Sequence, residues 1–436
     1  MRYSGLRSLA AAAGLFTTAV NQAGNCSSAI IPHPSIPDGQ VLGLTATSVS
    51  NYETDNSALN FCNVTVTYTH PGKNDAIHGA GGGGYAMRPA DSGLAAVVAQ
   101  NYTVLATDGE SWSLDASSNI TTSFYGRGPR CSYWNVCSTD GRQGLMLAQR
   151  YPTAFDGIMA AAPEINWPSF LVGEIWPQFV MNQLGAFPPG CVTDAITAAT
   201  MKACDDIDGV VDGVISMPDL CSFGPLTLVG PMVDCNGTNV HITRGNASSE
   251  GSFLWYGLNK GTPLSTDCQT GSVGLCYGIQ RSISLRWNHR ALDEIFRRSK
   301  AESNHLIGTD DPDLSAFKQA GGKMITYHGL ADELIFSEGT EQYYKQVEAQ
   351  DPSVRDFYRY FEAPGVLHCQ GGMGPVPTDL LSAVVDWVEN GIVSETIDAR
   401  TADGRRRRLC PYPLVSMYKG GDERDAESYR CEDAFP

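Results

Sequence analysis

Residues Ser132 to Pro152 carry an order of residue types that few local structures satisfy. Tyr133, Trp134 and Val136 form a short apolar, aromatic run, and Cys137-Ser138-Thr139-Asp140-Gly141 breaks it. Leu145, Leu147 and Ala148 then recur at helical spacing until Pro152 ends the pattern. The reading is strand, sharp turn, helix, with Ser138 at the turn. A serine held there has its hydroxyl exposed above a sheet, and the first helical N–H groups and the positive end of the helix dipole point at whatever it attacks. Such a turn usually has small residues two places before and after the serine, because strand and helix pass close together. Here those places hold Val136 and Asp140. Taken alone, the stretch fits a nucleophile or a serine at a helix start with no chemistry; partners elsewhere must decide.

The rest of the chain sets that turn in an alternating pattern. Phe61 to Tyr68 alternates as a strand, Leu94 to Gln100 reads as a helix, and Tyr102 to Asp108 as a buried strand. Ala154 to Pro163 supplies the strand after the turn's helix. This β, α, β, α order predicts a mostly parallel sheet covered on both faces. From 165 to 320 the alternation stops, and Pro, Gly, Cys and Trp become frequent. That stretch is expected to be an insertion folding as a lid over the strand ends. Gly321 to Gly329 resumes the sheet, followed by a helix near Glu338 to Ala349, a strand at Phe357 to Phe361 and an amphipathic helix at Leu380 to Asn390. The expected class is α/β, with a core from 24–164 and 321–436. A chain of 436 residues with 42% hydrophobic residues supports a core of that size.

Charge and cysteine usage bound the setting. A formal charge of −17 argues against nucleic acid and anionic membrane surfaces, which need clustered Lys and Arg. The one dense basic run, Arg405 to Arg408, reads as a solvated loop or as a cleavage site for a secretory-pathway protease. Arg2 and Arg7, the apolar run Leu9 to Val20 and Gln22-Ala23 read as a secretion signal over 1–23, too short to span a bilayer. Thirteen cysteines fit an oxidising, extracellular destination, as do Asn-X-Ser/Thr sequons at Asn25, Asn63, Asn101, Asn119, Asn236 and Asn246. The odd count leaves at least one thiol unpaired within a monomer, and oligomeric state is open.

Partners for Ser138 stand at the ends of later strands. Asp332 follows one and His368 lies in a loop after another, giving the Ser, Asp, His order of α/β-hydrolases. An imidazole takes the serine's proton and returns it to the leaving group, while a carboxylate fixes the imidazole's tautomer. Thr139 N–H and an N–H from the run His78-Gly79-Ala80-Gly81-Gly82-Gly83-Gly84, with Gly82 and Gly83 foremost, would stabilise the oxyanion. Cys137 precedes Ser138 and Cys369 follows His368. If serine and histidine are hydrogen-bonded, these cysteines lie close enough to bridge. Cys204, Cys221, Cys410 and Cys431 are also expected in disulfides. Pairings among Cys131, Cys191, Cys235, Cys268 and Cys276 stay open.

With these residues in view, the chain resembles the tannase and feruloyl esterase family of secreted hydrolases. The resemblance rests on Ser132-Tyr133-Trp134-Asn135, Cys137-Ser138-Thr139, Gly141-Arg142-Gln143-Gly144, Arg150-Tyr151-Pro152 and Phe155-Asp156-Gly157-Ile158. It continues in His328-Gly329 with Asp332 and Ile335, and in His368-Cys369. It implies an α/β-hydrolase core with a lid, and hydrolysis of phenolic-acid esters, feruloyl or galloyl, from plant cell-wall or tannin material. The acidic lid stretch Cys204 to Ile215 suits a hard, oxygen-liganded cation without matching EF-hand spacing. The resemblance implies structural Ca²⁺ held by the side chains of Asp205, Asp208 and Asp212 and the carbonyls of Val210 and Val214. A solvated acidic loop closed by a Cys204 to Cys221 bridge is the alternative. The family pattern has glycine at the positions of Val136 and Asp140. It also has a strand before the glycine run and a helix-forming stretch between the regions of Asp115 and Thr122, both missing here. These departures support a second reading, a catalytically silent α/β-hydrolase-like secreted protein.

Overall fold

A computed structural model describes residues 7–14, 26–35, 40–53, 58–69, 103–107, 122–123, 126–241, 258–263 and 287–433. Two units divide the chain, Met1–Ser132 and Tyr133–Pro436. Strands β1 (Arg7–Gly14), β2 (Gln40–Glu53), β3 (Ala58–Thr69) and β4 (Thr103–Thr107) build the first unit's sheet in the order β2-β3-β1-β4. Every pairing in it is antiparallel. Along β3, Cys62, Val64 and Val66 are buried at the two-residue period of a strand and pack with Ile31, while a Cys26–Cys62 disulfide ties the preceding segment down. The strand expected at Tyr102 to Asp108 is present as β4, but it pairs antiparallel with β1 instead of joining a parallel sheet. A short apolar run such as Thr103–Thr107 does not encode its pairing direction. Arg7–Gly14, within the expected secretion signal, is one of the two inner strands of this sheet.

The second unit begins at the strand before Ser138. Strand β5 (Tyr133–Cys137) leads into helix α1 (Thr139–Arg150) and on to β6 (Gly157–Ala161), which is buried along its whole length. The stretch 165–320 falls within this unit and supplies α2 (Trp167–Gly173), α3 (Trp176–Leu184), α4 (Gly190–Cys204), the hairpin β7 (Met232–Cys235) and β8 (Thr238–His241), α5 (His289–Ile307) and α6 (Ser315–Gln319). Asn288 caps α5 by accepting from Ala291 N–H at 2.9 Å, and Val172, Phe179 and Leu292 form a small core of their own.

The end of α5 is tied to α1. Arg142 Nη1 donates to Ile307 O at 2.9 Å, and Arg150 donates to Leu306 O and Gly308 O, each at 2.8 Å. Carbonyls that a helix terminus leaves without partners are thereby satisfied. The helix behind Ser138 thus anchors the stretch expected as the lid.

Strand β9 (Lys323–Gly329), helix α7 (Ser337–Gln350) and strand β10 (Tyr358–Ala363) complete a parallel sheet in the order β10-β9-β6-β5. Its apolar strands read as unbroken runs because both faces are covered. On one face Met159, Ala161, Ile325, Tyr327, Phe361 and Ala363 pack against Val384 and Trp387. These last two belong to α8 (Leu380–Asn390), whose buried Leu380, Leu381, Val384 and Trp387 share one helical stripe.

The tail adds β11 (Val376–Pro377), β12 (Ile397–Arg400) and β13 (Arg406–Leu409) as one antiparallel sheet, and β14 (Leu414–Tyr418) with β15 (Tyr429–Asp433) as another. A Cys410–Cys431 disulfide joins its ends. The basic run Arg405 to Arg408 is not the solvated loop expected. Most of it is β13, where Arg406 is exposed and Arg407 buried. Burial of a guanidinium is sustained by carboxylates, which Asp208 and Asp212 provide.

Candidate active site

Ser138 sits between β5 and α1 with φ 67° and ψ −131°, a conformation unusual for a residue with a Cβ and costing about 1–3 kcal/mol. Two hydrogen bonds hold it: Ser138 N–H donates to Ala161 O at 3.0 Å, and Ser138 O accepts from Arg142 N–H at 3.0 Å. A close approach of helix to sheet falls at Gly141 and Gly144. A Cβ on Gly141 would lie 2.4 Å from Ala161 O, the acceptor of the Ser138 bond, and one on Gly144 would lie 3.0 Å from Trp134 Cδ1. Val136 pairs with Ala160 in the sheet, and Asp140 is buried at 6% exposure. Burial pulls the Arg142 guanidinium below its ordinary value, and the charges of Glu164 and Asp140 oppose that pull. Asp140 therefore has a cation within electrostatic reach. Gly141→Ala is expected to cost about 1–3 kcal/mol by overpacking the turn and to lower activity. Urea denaturation and an ester assay on the same preparation check it.

Ser138, Asp332 and His368 meet. His368 Nε2 is 2.8 Å from Ser138 Oγ, and His368 Nδ1 is 2.9 Å from Asp332 Oδ2. Asp332 Oδ1 accepts from the N–H groups of Leu334 (2.9 Å) and Ile335 (2.8 Å), which fixes the carboxylate's plane. Beside them Cys137 and Cys369 form a disulfide with Cα atoms 6.0 Å apart. Tyr327 OH donates to Cys369 O, and Glu333 Oε2 accepts from His368 N–H at 3.0 Å, so the histidine's loop is held from two sides.

Burial pulls His368 down, yet the charge and hydrogen bond of Asp332, with Glu333 and Glu174 adding, raise it above the ordinary imidazole value. Burial also works to raise Asp332, but His368 and His328 outweigh it and hold that carboxyl well below the usual range. Glu174, just after α2, is pushed up to about 8 by burial and then by Asp332, against the opposing charge of His368. A base must be unprotonated to act. Activity on a neutral ester is therefore expected to fall with decreasing pH through an apparent pKa above about 6.5. A pH–rate profile measures it.

Thr139 opens α1, the position of the expected oxyanion donor. Gly82 and Gly83 lie outside the described residues. Glu333 and Glu174 are neighbours that the sequence did not single out, and His328 stands only within the family resemblance, with no role. Only His328 carried a signal, standing four residues before Asp332 at the end of an apolar run.

The acidic loop after α4 is closed by a Cys204–Cys221 disulfide. Asp205 Oδ1 accepts from the N–H groups of Asp212, Gly213 and Val214, each at 3.1 Å. Asp208 accepts from Val210 N–H at 3.2 Å and Ser216 Oγ at 2.7 Å. Arg405 and Arg407 both donate to Asp212 Oδ2, while Asp212 Oδ1 is buried with no hydrogen-bond partner. The three carboxylates do not converge on one point; among the described residues the only ligand atoms that do are those of Cys137, His368 and Cys369, already engaged with one another and the triad. Hard oxygen donors and an orphaned, buried carboxylate oxygen have the chemistry a hard cation takes, and the carboxylates would have to draw together to hold one. Cys191–Cys235 is a further disulfide, and Cys131 alone among the described cysteines has none.

A family model described as tannase and feruloyl esterase matches residues 56–254 and 280–432. A probable feruloyl esterase of Arthroderma benhamiae is 32% identical over 529 residues, covering 99% of this chain and 98% of that protein. That alignment is longer than the chain, so segments of the relative have no counterpart here. A probable feruloyl esterase B-2 of Aspergillus terreus is 32% identical across 72% of this chain and 68% of its own. Among solved structures, a tannin acyl hydrolase from Aspergillus niger superposes with a TM-score of 0.77 at 23% identity, over 93% of each chain. Feruloyl esterase B from Aspergillus oryzae gives 0.71 at 23%, over 91% of this chain and 97% of the other. At these identities the structural likeness speaks for the fold alone.

Proposed function

Because the chain belongs to the tannase and feruloyl esterase family and is a carboxylic ester hydrolase, we propose that it cleaves esters of phenolic acids through an acyl-enzyme on Ser138. The observation carrying this reading is the unbroken hydrogen-bond chain Ser138, His368, Asp332. Ser138 Oγ bonds to the ester carbonyl carbon as His368 Nε2 takes its proton. The carbonyl oxygen becomes an oxyanion, for which Thr139 N–H is one donor in this proposal. Collapse expels the alcohol, which leaves with the proton from His368. Water then repeats the sequence on the acyl-enzyme, freeing the acid and restoring the serine. Asp332 keeps Nδ1 protonated and stabilises the imidazolium. Family membership and this geometry favour an active enzyme over the silent reading.

The stretch 165–320 is the lid in this proposal, its side chains choosing between feruloyl and galloyl groups. Methyl ferulate, methyl gallate and a chromogenic short-chain ester test the reading. Turnover of none of them above a Ser138→Ala background would overturn it. Disulfides suit an oxidising compartment, and the proposal extends to export, with residues 1–23 as a signal whose removal would take β1 from between β3 and β4.

Asp205, Asp208 and Asp212, with the carbonyls of Val210 and Val214, would hold structural Ca²⁺. When bound, the ion supplies positive charge that fixes the loop and takes no part in ester cleavage. Calcium at a hundredfold excess over its Kd is expected to stabilise the protein by about 2.7 kcal/mol. Thermal unfolding with chelator and after calcium is restored measures this, and an Asp212→Asn variant should lose the response.

A further inference from the structure

His328, next to last in β9, has 0% exposure, and no step described above uses it. Its Nε2 lies 3.0 Å from Asp332 Oδ2 and 3.1 Å from Ile335 O. Both neighbours are acceptors, so Nε2 carries a hydrogen and donates. Its Nδ1 lies 2.8 Å from Thr340 Oγ1, whose hydroxyl is placed to donate in return. Asp332 Oδ2 is thus shared between two imidazoles, at 2.9 Å from His368 and 3.0 Å from His328. The same Ile335 that presents its carbonyl to His328 gives its N–H to Asp332 Oδ1. Strand end, aspartate loop and the first turn of α7 are joined through one ring.

We propose that His328 is a positioning residue for ester hydrolysis, pinning Asp332 Oδ2 and drawing part of its negative charge away from His368. The proposal rests on the reading of Ser138, His368 and Asp332 as the triad. A donor on a carboxylate spreads its charge and lowers its basicity. Without His328, Asp332 would bear more fully on His368 and hold its proton more tightly. Asp332 would also be free to turn, because one of its donors is gone. The titratable groups acting on His368 are Asp332, Glu333 and Glu174, and those facing Asp332 are His368, His328, Glu174 and Tyr327. His328 therefore acts on the base through Asp332.

His328→Leu removes the donor, and His328→Gln keeps an N–H that can reach Asp332. In His328→Leu, kcat is expected to fall roughly 10²-fold with KM little changed. The acid limb of its kcat/KM profile should move up by about one pH unit. His328→Gln should recover most of kcat and return the limb toward wild type. A residue that merely fills space would lower the folded fraction without moving that limb. An unmoved limb with unchanged kcat per folded molecule would overturn the proposal, as would equal defects in the Leu and Gln variants. If His328→Leu does not fold, Thr340→Val tests the same connection by loosening the ring at Nδ1. It should give a smaller upward shift of the limb, and no shift overturns the proposal. Ser138→Ala run in parallel separates the failures: full activity there sinks the triad itself, whereas a dead Ser138→Ala beside a normal His328→Leu sinks only the positioning role.

Discussion

Ser138→Ala is expected to lower kcat on methyl ferulate or methyl gallate by roughly 10⁶-fold, the scale seen when a serine hydrolase loses its nucleophile. Alanine keeps the Cβ, so the positive φ at residue 138 and the backbone bonds to Ala161 and Arg142 persist. Thermal unfolding should change little. The loss would then be chemical, because His368 would have no hydroxyl to deprotonate. Turnover within tenfold of wild type, from protein free of contaminating esterase, would remove Ser138 from the mechanism.

Removing the Cys137–Cys369 bridge as Cys137→Ser with Cys369→Ser is expected to cost about 2–5 kcal/mol. The bridge closes a sequence separation of 232 residues, so in the chain-entropy account its effect on the unfolded ensemble lies toward the upper end. The second consequence is kinetic. Each sulfur is borne by a residue adjacent to a member of the triad, and both Ser138 and Cys369 have positive φ. Releasing the clamp lets the Ser138–His368 pair drift, and a misplacement near 1 Å costs on the order of 10² in rate. A melt shifted as expected with kcat intact would mean that Tyr327 and Glu333 hold the histidine loop unaided.

Much of the site was legible because its chemistry leaves local marks. Cysteines beside both Ser138 and His368 could be read as one bridge only if the two loops met, and the structure joins them. Strands β6 and β9 were legible from apolar runs too short for helices. Other features depend on partners that spacing does not encode. Val136 and Asp140 looked like faults in a tight turn, but the turn forms with both in place, and Gly141 and Gly144 are where a Cβ would meet Ala161 and Trp134. Four adjacent arginines looked solvated because only Asp403, beside Arg405, stands near them in the chain; Asp212 pairs with Arg405 and Arg407 from nearly two hundred residues away. His328 resembled any strand histidine until Asp332 folded back onto it. Thr103–Thr107 carried the apolar signature of a strand but no mark of its direction.

That long reach from Asp212 to Arg405 and Arg407 also orders events during synthesis. The acidic loop leaves the ribosome well before the strand carrying its countercharges, and until they arrive its carboxylates have only local amides, hydroxyls and any dissolved cation for company. Translation must run past Arg407 before the two guanidiniums can reach Asp212. A stop codon between Cys369 and Arg405 would therefore damage a region encoded far upstream, while leaving the codons for the triad untouched.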